Sequence, residues 1–304
     1  MSVGLNRSQT AAKLGLSAAM AIFGTVGLFR RLIPLPSAFL AMTRGVLGAA
    51  FLLVLTLLRK QKPDFGRIRK NLPLLLLSGG LIGVNWILLF EAYNHTTVAA
   101  ATLCYYMEPT LLLLVSPFAL REALTRRKGL CAGAAFIGML LVSGVFSAEK
   151  APGSAAGILL ALGAAALYTG VVVLNKKLGD VAPADKTVIQ LAAAAAVVLP
   201  YTLAAERVEP GAFSIRTALL LLLVGAVHTG AAYALYFAAV PVLPAGTTAL
   251  FSYIDPVTAV VLSVLVLKEP ASPAVWIGAA LILGAAILGE TRGNDAKIKE
   301  TKKK

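Results

Sequence analysis

The sequence predicts an all-α membrane protein of ten transmembrane helices, arranged as two inverted five-helix repeats. Of the 304 residues, 58% are hydrophobic and 14% are charged, and the mean hydropathy is +0.82, which is typical of an integral membrane protein. Ten apolar runs of roughly 20 residues are each long enough to cross the hydrocarbon core of a bilayer. A stretch of the first half also recurs in the second half.

Short polar breaks separate the ten runs, and none of the runs alternates at period two, so we expect helices and not barrel strands. The first run is interpreted as a retained helix and not as a secretory signal, because 23–31 resembles 168–176 in the sixth run. In order, the runs are Lys13–Ile33, Ser37–Leu58, Leu72–Tyr93, Thr97–Leu120, Leu130–Phe146, Ser154–Leu174, Lys186–Ala205, Thr217–Ala239, Ala245–Leu267 and Pro273–Gly289.

The recurring stretch runs from 90 to 122 and returns at 237 to 269, at a constant offset of 147 residues. We therefore divide the chain into a first repeat (1–146), a linker (147–153), a second repeat (154–290) and a basic tail (291–304). Because each repeat has an odd number of spans, the second must enter the membrane from the opposite face. The matched pairs include Phe90 and Phe237, Tyr106 and Tyr253, Glu108 and Asp255, Pro109 and Pro256, and Glu122 and Glu269.

The formal net charge of +14 indicates orientation and not nucleic-acid binding. With a cytoplasmic N-terminus, 21 of the 28 Lys and Arg residues fall in cytoplasmic segments and six fall on the other side, while Arg44 lies within a span. This asymmetry follows the positive-inside rule. We expect a multi-pass protein of the plasma (inner) membrane with both termini cytoplasmic and the basic tail facing anionic lipids.

These features resemble the EamA-type branch of the drug/metabolite transporter superfamily over residues 13–289. The resemblance is carried by the Arg-Glu and Lys-Glu pairs that close the fourth and ninth spans, by the repeated prolines Pro109 and Pro256, and by Arg44 in the second span. It implies a ten-helix transporter of small organic metabolites, in many members an exporter, and it does not fix the substrate.

Glu108 and Asp255 lie about 10 to 12 residues into their spans, roughly 15 to 18 Å deep. A charge at that depth costs about 2.5 to 3.5 kcal/mol, so we expect both to face protein or a wet cavity. The hypothesis is proton coupling or binding of a substrate ammonium, and the alternative is a hydrogen bond that pins a helix. The adjacent Pro109 and Pro256 cannot donate to the preceding turn, which predicts a hinge or a purely structural kink.

Arg44 is the buried cation, and its repeat counterpart is the neutral Gln190. We expect it to pair with Glu108 or Glu91, because an isolated arginine in the bilayer is expensive. Two interpretations remain: an ion pair that switches during the transport cycle, and a static structural pair.

Aromatic and polar residues gather on the predicted inner helices. They could line a cavity for an aromatic or amphipathic solute, or they could simply pack the core. His228 could serve as a proton relay or as a hydrogen-bonded interior histidine. The residues are Asn85, Trp86, Tyr105, Tyr106, His228, Tyr233 and Tyr253.

The expected function is secondary transport of small organic metabolites by alternating access, with export of amino acids, including aromatic ones, as the favoured form and proton coupling as a hypothesis. The sequence has no catalytic, metal-binding or cofactor-binding motif, so we expect no enzyme activity, metal or cofactor. The partners are a small-molecule substrate and the lipid bilayer, with no nucleic acid, and the protein is a monomer or weak homodimer. The alternatives are a lipid-headgroup flippase with a lateral opening and a non-transporting membrane scaffold.

Overall fold

The computed structural model describes residues 2–60, 62–120, 126–142, 155–178, 181–209, 211–239, 243, 251–269 and 271–291, and the regular secondary structure of these residues is helical throughout. The predicted linker 147–153 and residues 292–304 of the tail lie outside the described residues. The helices are α1 (Ser2–Gly24), α2 (Val26–Leu32), α3 (Ser37–Leu58), α4 (Phe65–His95), α5 (Val98–Tyr105), α6 (Glu108–Ala119), α7 (Arg126–Val142), α8 (Ala155–Lys177), α9 (Pro183–Ala205), α10 (Ile215–Leu223), a π-helical segment (Val224–Ala231), α11 (Ala232–Ala239), α12 (Ile254–Leu265) and α13 (Pro273–Thr291).

Seven of the apolar stretches are long and apolar enough to cross a membrane: Gln9–Leu32, Ser37–Leu58, Phe65–His95, Val98–Ala119, Ala155–Lys177, Pro183–Ala205 and Ile215–Tyr236. Three shorter apolar helices, Gly129–Val142, Ile254–Leu265 and Pro273–Ala285, lie where the fifth, ninth and tenth runs are predicted. The protein is thus an all-helical, multi-pass membrane protein, and the count of ten spans stays a prediction.

Local sequence signals set several helix starts. The side chain of Asp64 accepts a hydrogen bond from the Arg67 amide at the start of α4, and the side chain of Thr97 accepts one from Ala100 at the start of α5. Ser214 caps α10 in the same way. A capping oxygen satisfies an amide that has no partner within its own helix.

The helices that carry the two acids are interrupted at the predicted places. After α5 ends at Tyr105, α6 begins at Glu108 with Pro109 in its first turn. In the second half, α12 begins at Ile254, two residues before Pro256. A proline is tolerated in a first turn because no intrahelical amide is needed there. Each proline therefore opens a helix instead of sitting inside a continuous bent one.

Close helix contacts assemble the bundle. A Cβ atom on Gly278 of α13 would lie 2.5 Å from the carbonyl oxygen of Gly138 on α7, so only glycine permits this approach. The same holds for Gly83 of α4 against the carbonyl oxygen of Ala194 on α9, at 2.7 Å. Small residues at such crossings are how helices pack when lipid removes the hydrophobic drive between them.

Candidate functional site

Arg44 lies in the middle of α3 with a side chain that is only 6% exposed. Its Nε donates a hydrogen bond to Thr229 Oγ1 over 2.7 Å. Its guanidinium carbon lies 4.4 Å from the centroid of the Trp86 ring and 5.8 Å from that of Phe90. A cation over an aromatic face is stabilised by the ring quadrupole, and more so away from water. Arg44 is therefore held by a hydroxyl and two rings.

The predicted ion pair of Arg44 with Glu108 or Glu91 is wrong. Within the described ranges, the ion pairs under 4.0 Å are Arg31–Glu269, Arg67–Asp64 and His95–Glu91, and none of them includes Arg44. The side chain of Glu91 instead accepts hydrogen bonds from Ser37, Asn94 and His95 over 2.7, 3.0 and 3.2 Å.

Arg44 does not pair with Glu91 because of the helical register of α4. Trp86 and Phe90 are four residues apart and share one face, and Arg44 packs against that face. Glu91 is one residue further on and therefore points about 100° away.

The π-helical segment brings two further polar groups inward. Thr229, which receives the Arg44 hydrogen bond, is fully buried, and His228 is 2% exposed. The Nε2 of His228 lies 2.7 Å from Thr25 Oγ1, between α1 and α2, and its ring meets Phe29 edge-on at 4.7 Å. His228 is thus a hydrogen-bonded interior histidine. Its role as a proton relay stays a prediction.

Tyr106 and Ser252 link the two halves of the chain. The hydroxyl of Tyr106 donates a hydrogen bond to the carbonyl oxygen of Ser252 over 3.5 Å. Glu108 follows Tyr106 by two residues, and its backbone carbonyl accepts a hydrogen bond from Thr169 over 3.4 Å. The segment between α5 and α6, just before the acid of the first repeat, is therefore in contact with the segment just before the acid of the second.

Aromatic rings pack against one another beside Glu108. Tyr105 packs against Tyr106 and Tyr168 with ring centroids 6.2 and 5.9 Å apart. Tyr233 packs against Phe23 at 5.2 Å.

Asp255 and the tyrosines near the two acids are half-buried, so each keeps part of its side chain accessible. We call this group the tyrosine–acid cluster; its members are Tyr105, Tyr106, Tyr168, Tyr233 and Asp255.

Other predicted site residues lie at the edge of this cluster. Trp86 is 5% exposed and covers Arg44, Asn85 is fully buried, and its amide donates to the carbonyl oxygen of Ala164 over 2.5 Å. Tyr253 is 7% exposed. The structure therefore leaves Tyr105, Tyr106, Tyr233 and Asp255 half-buried and buries Trp86, Asn85 and Tyr253.

Sequence reasoning missed Tyr168 and Thr229 as site residues. A signal for Tyr168 exists, because the match of 23–31 with 168–176 begins on an aromatic residue in both copies. Thr229 stands next to His228 in an apolar run and has no comparable signal.

The comparisons with known proteins agree with this architecture. The EamA-like transporter family matches the chain twice, at residues 11–144 and 155–289. Two Bacillus subtilis (strain 168) proteins, each described as an uncharacterized transporter, are similar: YxxF is 27% identical over 84% of this chain and 82% of its own length. YojE is 28% identical over 83% of this chain and 84% of its own length.

A solved crystal structure shares the fold, with a TM-score of 0.66 at 21% sequence identity, over 95% of this chain and 99% of that one. The two tandem matches span nearly all the residues that build the bundle and the tyrosine–acid cluster. The chain is a membrane transporter by descent, and it belongs to the EamA-like transporter family.

Proposed function

We propose that this protein is a secondary transporter of small organic metabolites that works by alternating access between two inverted five-helix halves. The observation that carries the proposal is the tyrosine–acid cluster, in which half-buried side chains from both halves meet, and we infer that they border an internal binding space. Sites of this kind near the midplane, between two repeats, are typical of secondary transporters. The favoured substrates are amino acids, including aromatic ones, and the favoured direction is export.

The packing partners support a two-fold relation between the two repeats, which an inverted repeat has. α4 forms the third run, and it packs against α8 and α9, which form the sixth and seventh runs. The counterpart of α4 is the eighth run, which packs against α1 of the first run and α3 of the second run. Likewise α5 packs against α8, and α12 packs against α1. Helices α7 and α13, which end the two copies, pack against each other. Exchanging the two copies leaves this set of contacts unchanged, as a two-fold relation between them requires.

Within the cluster, we assign charge recognition to the two acids. Glu108 and Asp255 would hold a substrate ammonium or carry a coupled proton, since acids placed inside a bundle commonly mark such pathways. Arg44, held by Thr229, would gate the cycle or bind a substrate carboxylate. Asn85, Trp86, Tyr105, Tyr106, Tyr233 and Tyr253 would form the walls, with His228 supporting the Thr229 side.

The interruptions at Pro109 and Pro256 would serve as the hinges of the cycle. They lie beside the two acids on α6 and α12, and α12 packs against α5, which precedes α6 in the chain. A change of angle at either point would move a carboxylate relative to the internal space. From the positive-inside charge pattern we infer a protein of the plasma (inner) membrane with both termini in the cytoplasm, and we propose that it is a monomer or weak homodimer.

Ligand screening followed by transport tests the proposal. A bound substrate raises the unfolding temperature by mass action, so purified protein would be heated with amino acids, cationic drugs and nucleotide sugars in turn. Hits would then be assayed for uptake into proteoliposomes. We expect an amino acid to stabilise the wild type but not Asp255→Asn, with matching loss of uptake. Stabilisation by lipid headgroup analogues alone would favour a flippase, and no ligand or transport at all would exclude the proposal.

A further inference from the structure

A cleft lies at the face of the protein where α3 begins. One wall is the connection 33–36, which joins α2 to α3, and the other is formed by residues that follow α9. Its volume is about 330 Å³, within the range of sites for small molecules. Three charged side chains line it: Arg30, Arg207 and Glu209. We call this site the α3 cleft, and it shares none of these residues with the tyrosine–acid cluster.

Arg30 is the buried charge of the cleft, with 7% of its surface exposed. Its Nη1 donates to the carbonyl oxygen of Ile33 over 3.0 Å, and its Nη2 donates to Ser37 Oγ over 3.2 Å. Within the described ranges, its Nε has no hydrogen-bond partner, and no ion pair includes Arg30. A buried cation without a carboxylate partner is unfavourable. An anionic group bound in the cleft would supply that partner.

The neighbouring carboxylates are held by other donors. Glu206 accepts hydrogen bonds from the amides of Ala38 and Phe39 at the start of α3, over 2.9 and 2.7 Å. Glu91 accepts one from Ser37 over 2.7 Å and two from its own helix. In the part of the chain that the structure describes, neither carboxylate pairs with an arginine of the cleft. The positive charge of the cleft is therefore not neutralised by direct contact with either acid.

The walls of the cleft are held in place by the protein itself. Pro34 and Pro36 stiffen the connection on one side, because the proline ring fixes φ, and Ile33 and Leu35 are buried at 1% and 3% exposure. On the other side, the two hydrogen bonds of Glu206 tie the end of α9 to the start of α3. A site whose walls are already ordered loses less free energy to ordering when a ligand binds.

The charges of the cleft favour a ligand that carries both signs. Arginine binds a carboxylate or phosphate through paired N–H donors, and the cleft offers two arginines. Glu209 adds a negative charge that suits an ammonium group. Arg207 and Glu209 are exposed, and neither takes part in an ion pair among the described residues. A simple anion would be repelled by Glu209, and a simple cation by the two arginines.

We propose that the α3 cleft binds a zwitterion, with its anionic group on Arg30 and Arg207 and its ammonium group on Glu209. A free amino acid and the headgroup of phosphatidylethanolamine share this chemistry. The cleft lies where the apolar stretches Gln9–Leu32 and Pro183–Ala205 end and Ser37–Leu58 begins, so either source can reach it. The inference concerns binding at this face and stands whether or not the chain transports the zwitterion.

A cysteine in the cleft reports whether the cleft is occupied. Pro34 lines the cleft and is exposed, so Pro34→Cys, in a chain whose Cys104 and Cys131 are replaced by alanine, is labelled with a maleimide in lipid-free detergent solution. A zwitterion at ten times its dissociation constant should slow labelling about tenfold, in proportion to occupancy. Ile215→Cys, 79% exposed at the start of α10 and outside the cleft, should label at an unchanged rate.

The probes separate the two sources and the two charges. L-phenylalanine represents the free amino acid, and glycerophosphoethanolamine represents the lipid headgroup. Phenylpropanoate and glycerol phosphate keep the anionic group without the ammonium, and phenethylamine keeps the ammonium alone. We expect one or both zwitterions to protect Pro34→Cys. The three compounds with one kind of charge should bind at least about threefold more weakly, as the loss of one partly exposed ion pair requires.

Variants of the exposed groups complete the test. Arg207→Ala and Glu209→Ala should each weaken binding of the zwitterion at least about threefold, whereas Arg216→Ala, exposed at the same face and outside the cleft, should not. All three should unfold near the wild-type temperature, because the side chains that they remove are exposed.

No protection by either zwitterion, equal protection by the anions alone, or protection that survives both Arg207→Ala and Glu209→Ala would overturn the inference. Failure of the proposed function would appear instead as absent transport, with Pro34→Cys still protected by a zwitterion.

Discussion

Removing the charge of Arg44 should disturb the folded protein less than removing the hydroxyl that binds it. In Arg44→Gln, the chain loses a hydrogen bond to a charged group, worth about 1.5–3 kcal/mol, and a buried cation–π contact, worth about 2 kcal/mol. The variant also no longer bears the unfavourable free energy of holding a cation at this depth, about 2.5–3.5 kcal/mol. These terms largely cancel, so the free energy of unfolding should fall by no more than about 2.5 kcal/mol.

The second repeat supports this expectation, because it carries an amide at the equivalent position. Gln190 there donates hydrogen bonds to Ser78 Oγ and Asn175 Oδ1 over 2.6 and 2.7 Å. Thr229→Val, in contrast, leaves the Arg44 charge buried and removes its acceptor. The penalty for such an unmet charged donor is about 1.5–3 kcal/mol or more, with no compensating gain.

The assay is thermal unfolding of the detergent-purified variants, read by fluorescence, beside uptake in proteoliposomes. We expect Thr229→Val to unfold at a temperature lower by roughly 4 °C and Arg44→Gln to unfold close to the wild type but to transport at a reduced rate. Gln190→Leu is a matched control for the loss of a buried polar group without a charge. A variant Arg44→Gln that unfolds well below Thr229→Val, or that transports at the normal rate, would refute this reasoning.

Three further predictions concern coupling, packing and the hinges. Glu108→Gln should abolish any dependence of transport on the proton gradient, and pH dependence that persists in proteoliposomes would remove that role. Gly278→Val should lower the unfolding temperature, because the added Cβ meets the carbonyl oxygen of Gly138 at 2.5 Å and overpacking costs about 1–3 kcal/mol. Gly284→Val on the same helix should leave the unfolding temperature unchanged, because a Cβ there meets nothing within 4 Å. Pro256→Ala should slow transport while leaving the unfolding temperature within about 2 °C of the wild type. Pro200→Ala, inside α9, should leave the transport rate unchanged. Equal transport rates for the two variants would contradict the hinge.

The sequence predicts the helices, the family and the contact between the halves because these depend on hydrophobic run length and on an internal repeat. Matching Tyr106 to Tyr253 and Glu108 to Asp255 is enough to locate the interrupted helices. The repeat cannot show which way a side chain points. That is why Arg44 is assigned to an acid in the sequence and lies against Trp86 in the structure.

The π-helical segment is a second feature that the sequence conceals. Its residues Val224–Ala231 continue an apolar run without a change of period. Its cause lies in the tertiary packing: a Cβ at Gly225 would meet Leu47 at 2.3 Å, and one at Gly230 would meet Phe51 at 2.3 Å. Close approach to α3 and the hydrogen bonds of His228 and Thr229 accompany the irregular turn, as is common where π-turns serve function.

Counterflow in proteoliposomes tests the central claim most directly. Vesicles are loaded with an unlabelled amino acid identified by thermal stabilisation and are then diluted into a trace of the labelled one. Alternating access predicts a transient accumulation of label inside, because each site that carries unlabelled substrate out returns with labelled substrate bound. The double variant Glu108→Gln, Asp255→Asn should abolish this accumulation. Label that only equilibrates, at a rate equal to that of empty liposomes, would contradict the account.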